Sequence, residues 1–320
     1  MTAPIGVLVM AYGTADGPDD IERYYTDIRG RPPTSEHLQE LRDRYAAIGN
    51  RFPLMDITRQ QAEGIERELN ARGGWQTFRV YLGMKHSPPF IPETVERMRA
   101  DGIEHAVGVV MAPHWSGMSV ETYVERVRDA AAEGGPAFAF VRSYHDDPRF
   151  VSFLAQRVAH ALGMLMPAER ERAAVIFSAH SLPVRTLEDG SMRCKNCTAC
   201  EDACRYRDGL RETADLVAKE LDLSHHTIAW QSAGRTADPW WGPPIEEVIV
   251  ELAEAGHPAV VVCSAGFVAD HLETLYDLDV EAKQVAQEAG MAFVRTEMPN
   301  AASAFVSMLA EVVREHLAPR

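Results

Sequence analysis

The residues best suited to chemistry stand where short apolar runs of the sequence end. Several are histidines, and histidine is the side chain whose charge changes most readily near neutral pH. In open α/β sheets, ligands bind beyond the carboxyl ends of the strands. If the apolar runs are parallel strands, we therefore expect these side chains to meet in one cleft. They are Tyr12, Lys85, His86, His114, His180 and His271.

Three carboxylates begin next to His271 and recur every fourth residue. Glu273, Asp277 and Glu281 share one face if residues 271–285 form a helix. From the spacing alone, a solvated acidic face is the simpler interpretation. Oxygen ligands in a row also suit a hard, hydrated divalent cation. A path that carries a cation inward is therefore the second hypothesis.

Four of the five cysteines lie within eleven residues, in the spacing Cys-x2-Cys-x2-Cys-x3-Cys. Such clustering indicates thiolate ligands to a metal, since disulfides are rare in cytosolic proteins. The spacing equals that of bacterial ferredoxins, but there is no second run, so all four thiolates must share one centre. We expect an iron–sulfur cluster, with structural zinc as the alternative, and a structural or regulatory role. The four residues are Cys194, Cys197, Cys200 and Cys204.

The elements that position these residues alternate between β-rich runs and amphipathic stretches, which is typical of βαβ units with a mainly parallel sheet. Eight candidate strands divide into two sets of four near residues 145–148. We predict an α/β protein with two Rossmann-like domains, residues 1–146 and 147–320, whose four-stranded sheets face a central cleft. The second domain carries a Cys-rich insertion at 184–209. The candidate strands are Ile5–Met10, Phe78–Gly83, Ala106–Met111, Ala137–Val141, Ala174–Ser178, Thr227–Trp230, Ala259–Cys263 and Ala292–Arg295.

Composition and charge exclude several classes of function. The 320 residues are 46% hydrophobic and 25% charged, which is typical of a folded protein and not of wholesale disorder. The net charge of −15 disfavours nucleic acid and anionic membranes as partners. No apolar run approaches the roughly 18 residues of a membrane span, and the first basic residue is Arg23, so we expect a cytoplasmic protein without stable membrane insertion. Glycine-rich phosphate loops are also missing, which disfavours an ATP or dinucleotide enzyme.

Seven segments together resemble the ferrochelatase family along nearly the whole chain. The run Met10-Ala11-Tyr12-Gly13 resembles in particular the members that use coproporphyrin III, because protoporphyrin enzymes usually have Asn-Leu-Gly there. The matching segments are residues 8–14, 21–29, 44–49, 178–183, 230–232, 238–243 and 266–273.

The resemblance implies a lyase-class metal chelatase of haem biosynthesis, which inserts Fe²⁺ into coproporphyrin III to give Fe-coproporphyrin III (coproheme). It implies that His180 and Glu273 handle the iron, and that Tyr12 is the axial ligand of the product's iron on the opposite face. Family members with such cysteines are similar in holding a [2Fe–2S] cluster. The implied partners are coproporphyrin III, Fe²⁺ and, transiently, neighbouring haem-pathway enzymes. Positions that match the family's porphyrin and propionate contacts are Arg29, Arg44, Tyr45 and Tyr123.

Two positions depart from the family pattern. Phe52 stands where the family often has Ser, so that carboxylate contact is in question, and the adjacent Arg51 is a candidate replacement. Trp241 replaces a common Leu, which we interpret as a change in side-chain packing.

The chemistry of metal insertion fits these residue types. Insertion of Fe²⁺ releases two pyrrole protons, so we expect a neutral His180 imidazole beside Glu273 to accept a proton and to hold a cation. The four carboxylates of coproporphyrin explain local arginines in an acidic chain. Two alternatives remain open: a cobalt chelatase of corrin synthesis, and a non-catalytic iron–sulfur or haem-binding sensor. Metal and tetrapyrrole preference separates the two chelatases, and turnover separates an enzyme from a sensor.

Overall fold

Two parallel four-stranded sheets form the framework, one from each part of the chain. The structure is a computed structural model that describes residues 3–71, 76–197, 205–234 and 236–317. The first part contains β1 (Ile5–Ala11), α1 (Ile21–Arg29), α2 (Ser35–Ala47), α3 (Leu54–Ala71), β2 (Phe78–Met84), α4 (Ile91–Ala100), β3 (His105–Val110), α5 (Val120–Ala131) and β4 (Ala137–Val141).

The second part repeats the alternation and adds a small hairpin. A π-helix, Asp277–Ala282, lies between two of its helices. The elements are α6 (Pro148–Gly163), α7 (Pro167–Arg170), β5 (Ala174–His180), β6 (Val184–Thr186), β7 (Met192–Cys194), α8 (Arg205–Leu221), β8 (His226–Gln231), α9 (Ile245–Glu254), β9 (Ala259–Cys263), α10 (Leu272–Leu275), α11 (Lys283–Glu288), β10 (Ala292–Arg295) and α12 (Ser303–Glu315).

The strand orders explain where a ligand can bind. They are β2-β1-β3-β4 in the first sheet and β10-β9-β5-β8 in the second, and every neighbouring pair is parallel. From β1 the chain crosses to one side and then to the other, so the connections diverge between β1 and β3. They diverge in the same way between β5 and β9. Such switch points leave a crevice at the carboxyl ends of the strands, and β1 and β5 therefore aim their last residues at the site.

One apolar cluster connects the two sheets. It includes Val107 of β3, Phe177 of β5 and Phe305 of α12, all fully buried. Helix α12 packs against α3, and their approach is so close that a Cβ on Gly64 would lie 2.7 Å from Cγ1 of Val306. The two sheets are thus held against each other by side chains that no solvent reaches.

The predicted fold class is confirmed: all eight candidate strands are present, and they form two parallel four-stranded sheets. The division of the chain between residues 146 and 147 stays a prediction. That point lies in the connection from β4 to α6. Within the described ranges, no helix is both long and apolar enough to cross a membrane.

The helix expected over residues 271–285 is wrong in one respect. It consists of α10, the π-helix and α11. The amide of Glu281 donates to the carbonyl of Tyr276 at 3.0 Å, five residues back rather than four. Asp277 is only 4% exposed, whereas Glu273 and Glu281 are half-buried, so the acidic row is not a fully solvated face.

Candidate functional site

The carboxyl ends of both sheets enclose a cleft of about 380 Å³. Its walls include Tyr12 directly after β1, Lys85 after β2 and His114 after β3. From the other sheet come His180, at the end of β5, and Glu273, in the first turn of α10. The side chains expected to meet therefore do so, apart from His86, which lies behind Tyr12 with the ring centroids 4.6 Å apart.

The carboxylate of Glu273 lies between two imidazoles. Its Oε1 is 3.6 Å from Nε2 of His180, and its Oε2 is 3.5 Å from Nε2 of His271. The other ring nitrogen of His180, Nδ1, donates to the carbonyl oxygen of Ser181. That bond orients the ring, so that Nε2 is the nitrogen presented to Glu273.

The electrostatics of this group correct one expectation. Burial alone would lower the pKa of His180, but the Glu273 carboxylate outweighs burial and raises it to about 9. Burial likewise opposes the charge of Glu273, yet His180 and His271 hold its pKa well below the usual range. The charge of Glu273 therefore favours the imidazolium form of His180, and the neutral imidazole expected from the sequence requires a cation that offsets this charge.

A second acidic group lies behind Glu273. Asp277 accepts a hydrogen bond from Ser232, and its Oδ1 is 3.6 Å from Nη1 of Arg44. Burial, and then the charge of Glu273, raise the pKa of Asp277 to about 7. Glu281 is half-buried and adds a smaller repulsion of the same sign. The three carboxylates are thus close enough to affect one another electrostatically, as a cation path requires.

The first sheet supplies an aromatic and cationic wall. The ammonium of Lys85 lies 5.8 Å from the Tyr12 ring centre and 5.1 Å from that of Tyr123, and it donates to Thr122 Oγ1 at 2.7 Å. Burial, followed by the charge of Arg126, lowers the pKa of Lys85 to about 8. A positive charge held over two aromatic rings is suited to an acidic, planar ligand.

The other positions matched to the family differ in their access to the cleft. Tyr45 and Tyr123 line it and are buried. Phe52 stacks on Tyr45 with ring centroids 4.3 Å apart, so it stabilises the wall rather than replacing a polar contact. Arg44 is turned towards Asp277 and Tyr276, and the exposed Arg29 contacts His37. Both arginines lie outside the lining residues, so their contacts with propionates stay predictions.

The cysteine segment lies against the same cleft. Cys194 ends β7 and is 1% exposed, and Cys197 follows after a turn and is 3% exposed. A Cβ on Gly117, next to the lining residue Met118, would lie 3.0 Å from the Cys197 sulfur. Cys200 and Cys204 lie outside the described residues. Two buried sulfurs on one turn, of which Cys194 accepts an indole N–H, fit thiolate ligands of either an iron–sulfur cluster or zinc.

Three polar residues of the site were not singled out as site residues from the sequence. Gln231, which ends β8, donates from Nε2 to the Glu273 carbonyl at 3.1 Å, and Ser232 donates to Asp277. The hydroxyl of Tyr206 donates to the His180 carbonyl at 2.9 Å. The strand-end rule applied to β8 would have indicated the first two. Tyr206 follows Cys204 by two residues, and only the folded chain brings it to His180.

Comparison with known proteins agrees with this arrangement. A sequence model of the family described as Ferrochelatase matches residues 4–317. The coproporphyrin III ferrochelatase of Anoxybacillus flavithermus is 46% identical over 316 residues, covering 98% of this chain and 96% of the relative. That of Bacillus subtilis is 44% identical over 316 residues and covers 98% of each chain.

Solved structures show the same fold at low sequence identity. SirB from Bacillus subtilis with Fe³⁺ aligns over 98% of this chain and 96% of that one, with a TM-score of 0.59 and 11% identity. The sirohydrochlorin chelatase SirB from Bacillus subtilis subspecies spizizenii, in complex with cobalt, covers 98% and 95% with a TM-score of 0.55 and 10% identity. On the family match and the sequence identity together, the chain belongs to the ferrochelatase family.

Proposed function

We propose that this ferrochelatase inserts Fe²⁺ into coproporphyrin III and releases coproheme. The observation that carries the proposal is the Glu273 carboxylate between two imidazoles, facing a cationic, aromatic wall across one cleft. The first group binds a divalent cation, and the second suits a flat polycarboxylate. Relatives that bear the name coproporphyrin III ferrochelatase cover nearly the whole chain.

The charge of the His180–Glu273 pair determines how metal and proton exchange. An Fe²⁺ ion beside Glu273 neutralises the field that raises the pKa of His180, so the imidazolium loses its proton when the metal arrives. Nε2 of His180 is then free to accept a proton from a pyrrole nitrogen, while Nδ1 stays bonded to Ser181. The two pyrrole protons leave one after the other through this base to solvent as the metal enters the macrocycle.

Iron reaches Glu273 along the acidic residues in this proposal. Glu281 is half-buried, Asp277 lies between it and Glu273, and Ser232 orients one Asp277 oxygen. The pKa of Asp277, about 7, allows this carboxyl to be neutral or charged near physiological pH. An arriving cation favours the charged form of Asp277. Before the cation arrives, Asp277 can stay neutral, so that the path does not hold two neighbouring negative charges on Asp277 and Glu273.

Porphyrin binding is assigned to the opposite wall. Tyr12 is the axial ligand of the product's iron, and Tyr45 and Tyr123 contact the macrocycle. Arg29 and Arg44 hold propionates, which requires the Arg44 guanidinium to leave Asp277. Loss of one charge-assisted contact typically costs about 1.5–3 kcal/mol, or roughly ten- to a hundredfold in affinity. Coproporphyrin III, with two more carboxylates than protoporphyrin IX, is therefore the preferred substrate.

The cysteine segment holds a [2Fe–2S] cluster in this proposal, with Cys194, Cys197, Cys200 and Cys204 as ligands. Support comes from the spacing and from the burial of the two described sulfurs. A cytoplasmic location fits, because a reducing compartment keeps the four thiols available. Protein purified without oxygen should contain about two iron and two sulfide per chain, and Cys197→Ser should bleach it. One zinc and no sulfide would replace the cluster with structural zinc.

One assay tests the proposed reaction. Single-turnover insertion of Fe²⁺ is followed by absorbance with coproporphyrin III, protoporphyrin IX and a corrin precursor in parallel, and Co²⁺ is tested with the same three compounds. We expect insertion of Fe²⁺ with coproporphyrin III preferred, and near-complete loss in His180→Ala with porphyrin binding retained. Preference for Co²⁺ and a corrin precursor would indicate the cobalt chelatase, and binding without turnover would indicate a sensor.

A further inference from the structure

Three hydrogen bonds in sequence connect the cysteine segment with the ring of His180. The indole Nε1–H of Trp241 donates to the Cys194 sulfur at 3.4 Å. The Trp241 carbonyl accepts the hydroxyl of Ser181 at 2.7 Å. The carbonyl of Ser181 in turn accepts Nδ1–H of His180. A single side chain, Trp241, therefore separates the sulfur from the turn that orients the imidazole.

The surroundings of Trp241 leave it little freedom to move alone. Its ring stacks on Trp230 with centroids 6.1 Å apart and an interplanar angle of 25°. Its amide donates to the carbonyl of Leu182 at 3.1 Å. The amide of Ser181 is bonded to the carbonyl of Gln231 at 2.7 Å. A shift of the indole is thus passed to residues 181 and 182 rather than absorbed by a loose side chain.

We propose that Trp241 is a positioning residue that makes the alignment of His180 depend on the state of the Cys194 sulfur. A metal-bound thiolate carries negative charge and accepts a stronger hydrogen bond from N–H than a neutral thiol does. With a metal at the cysteines, the indole is held tightly and the Ser181 turn with it; without the metal, that restraint weakens. The inference rests on the metal centre proposed for the cysteine segment, and it gives that centre a role in metal insertion.

A role in stability alone makes a different prediction from this coupling. If Trp241 only fills space, its replacement lowers the free energy of unfolding, and iron binding at His180 does not depend on the metal at the cysteines. If it couples them, removal of the single N–H alters metal retention at the cysteines. It also alters how strongly that metal affects iron binding at His180. Substitution of residues that orient metal ligands typically costs 10- to 100-fold in affinity or activity.

The experiment compares Trp241→Phe, which keeps an aromatic ring but deletes the N–H, with Trp240→Phe. The Trp240 indole donates to Thr236 at 3.1 Å and not to a sulfur, so its replacement is the matched control. Anaerobically purified protein is exposed to a chelator, and release of the cysteine-bound metal is followed over time. We expect release about tenfold faster from Trp241→Phe and unchanged from Trp240→Phe.

The second measurement is the KM for Fe²⁺ in insertion, before and after the cysteine-bound metal is removed. In the wild-type protein removal should raise this KM about tenfold, whereas in Trp241→Phe it should have little further effect. Should Trp241→Phe fail to fold, Ser181→Ala breaks the next bond and should likewise make the KM insensitive to metal removal. Ser181→Thr keeps the hydroxyl and should restore the sensitivity.

Each outcome decides the matter. Metal that is present but released from Trp241→Phe at the wild-type rate overturns the coupling and leaves the metal centre standing. If removal of the metal changes the KM for Fe²⁺ equally in the wild-type protein and in Trp241→Phe, the coupling is likewise overturned. Wild-type protein without metal at the cysteines overturns the metal centre and the coupling together. Insertion by that same preparation reports separately on the proposed chelatase activity.

Discussion

The unusual charge state of His180 can be tested by a single substitution, Glu273→Gln. The amide keeps the size of the side chain and removes the negative charge that is 3.6 Å from Nε2 of His180. That charge is what overcomes burial and raises the pKa of His180 to about 9. Without it, burial is opposed only by the hydrogen bond to the Ser181 carbonyl and by the charge of Asp277, and the pKa should fall to about 6.5, the ordinary value for histidine, or below. At pH 7 the imidazole then changes from almost fully protonated to mostly neutral.

Nuclear magnetic resonance of ¹³C-histidine-labelled protein measures this directly. The chain has twelve histidines, so the His180 signal is assigned by its loss in His180→Gln. Glu281→Gln is the matched control, since this carboxylate does not contact His180, and its His180 should still titrate near 9. A His180 that titrates near 9 in Glu273→Gln would refute the assignment of the raised pKa to Glu273.

The His180→Gln protein also tests the exchange of metal for proton. Binding of Zn²⁺, used without porphyrin, should release close to one proton from His180 at pH 7.5 in the wild-type protein, because the pKa lies well above that pH. The difference in proton release between wild type and His180→Gln isolates this proton from those lost elsewhere. No difference between the two proteins would contradict the mechanism proposed for metal entry.

Three other substitutions test the iron path, the axial ligand and the shared core. The carboxyl of Asp277 becomes charged as pH rises through about 7, so the KM for Fe²⁺ should fall as pH rises from 6 to 8. In Asp277→Asn the KM should be about tenfold higher and independent of pH. A KM that does not change with pH in the wild-type protein would contradict the path. Tyr12→Phe should leave insertion largely intact but change the absorption spectrum of the bound iron product, and an unchanged spectrum would remove Tyr12 as axial ligand. Gly64→Ala brings a Cβ to 2.7 Å from Val306 and should lower the free energy of unfolding in urea by about 1–3 kcal/mol, whereas Gly163→Ala, which meets open space, should not.

The framework was predictable because it depends on local patterns. Apolar runs such as Ala259–Cys263 are short, β-branched and bounded by helical stretches, and they lie in strands at the predicted positions. The strand-end rule then predicted that Tyr12 and His180 lie in one cleft, as they do, although 168 positions separate them in the numbering (180 − 12). Both inferences need only the periodicity of the chain and the direction of parallel strands.

What the sequence did not reveal depends on balances between distant groups. The pKa of His180 depends on burial, which lowers it, and on Glu273, Ser181 and Asp277, which raise it, and none of these effects is known until the chain is folded. Asp277 is buried in the first turn of the π-helix, where Ser232, forty-five positions earlier, donates a hydrogen bond to it. Trp241 was interpreted as a packing change because its bond to Cys194 spans forty-seven positions. Residue spacing predicts which side chains lie close together along one element, but not whether burial or a neighbouring charge has the larger effect on them.

The distribution of charge across the cleft explains how a chain of net charge −15 can bind both a cation and an acidic porphyrin. The carboxylates Glu273 and Asp277 belong to the second half, whereas Lys85 belongs to the first and is backed by Arg126, which donates to its carbonyl at 2.5 Å. Exposed charges are largely screened beyond about 8–10 Å at physiological salt, so the field near each wall is set by that wall rather than by the net charge. A cation is therefore attracted to the wall of Glu273 and Asp277, and the carboxylates of a porphyrin are attracted to the wall of Lys85. Arg44 is the point of contact between the two walls, because its guanidinium, 3.6 Å from Asp277, has to leave that carboxylate to bind a propionate.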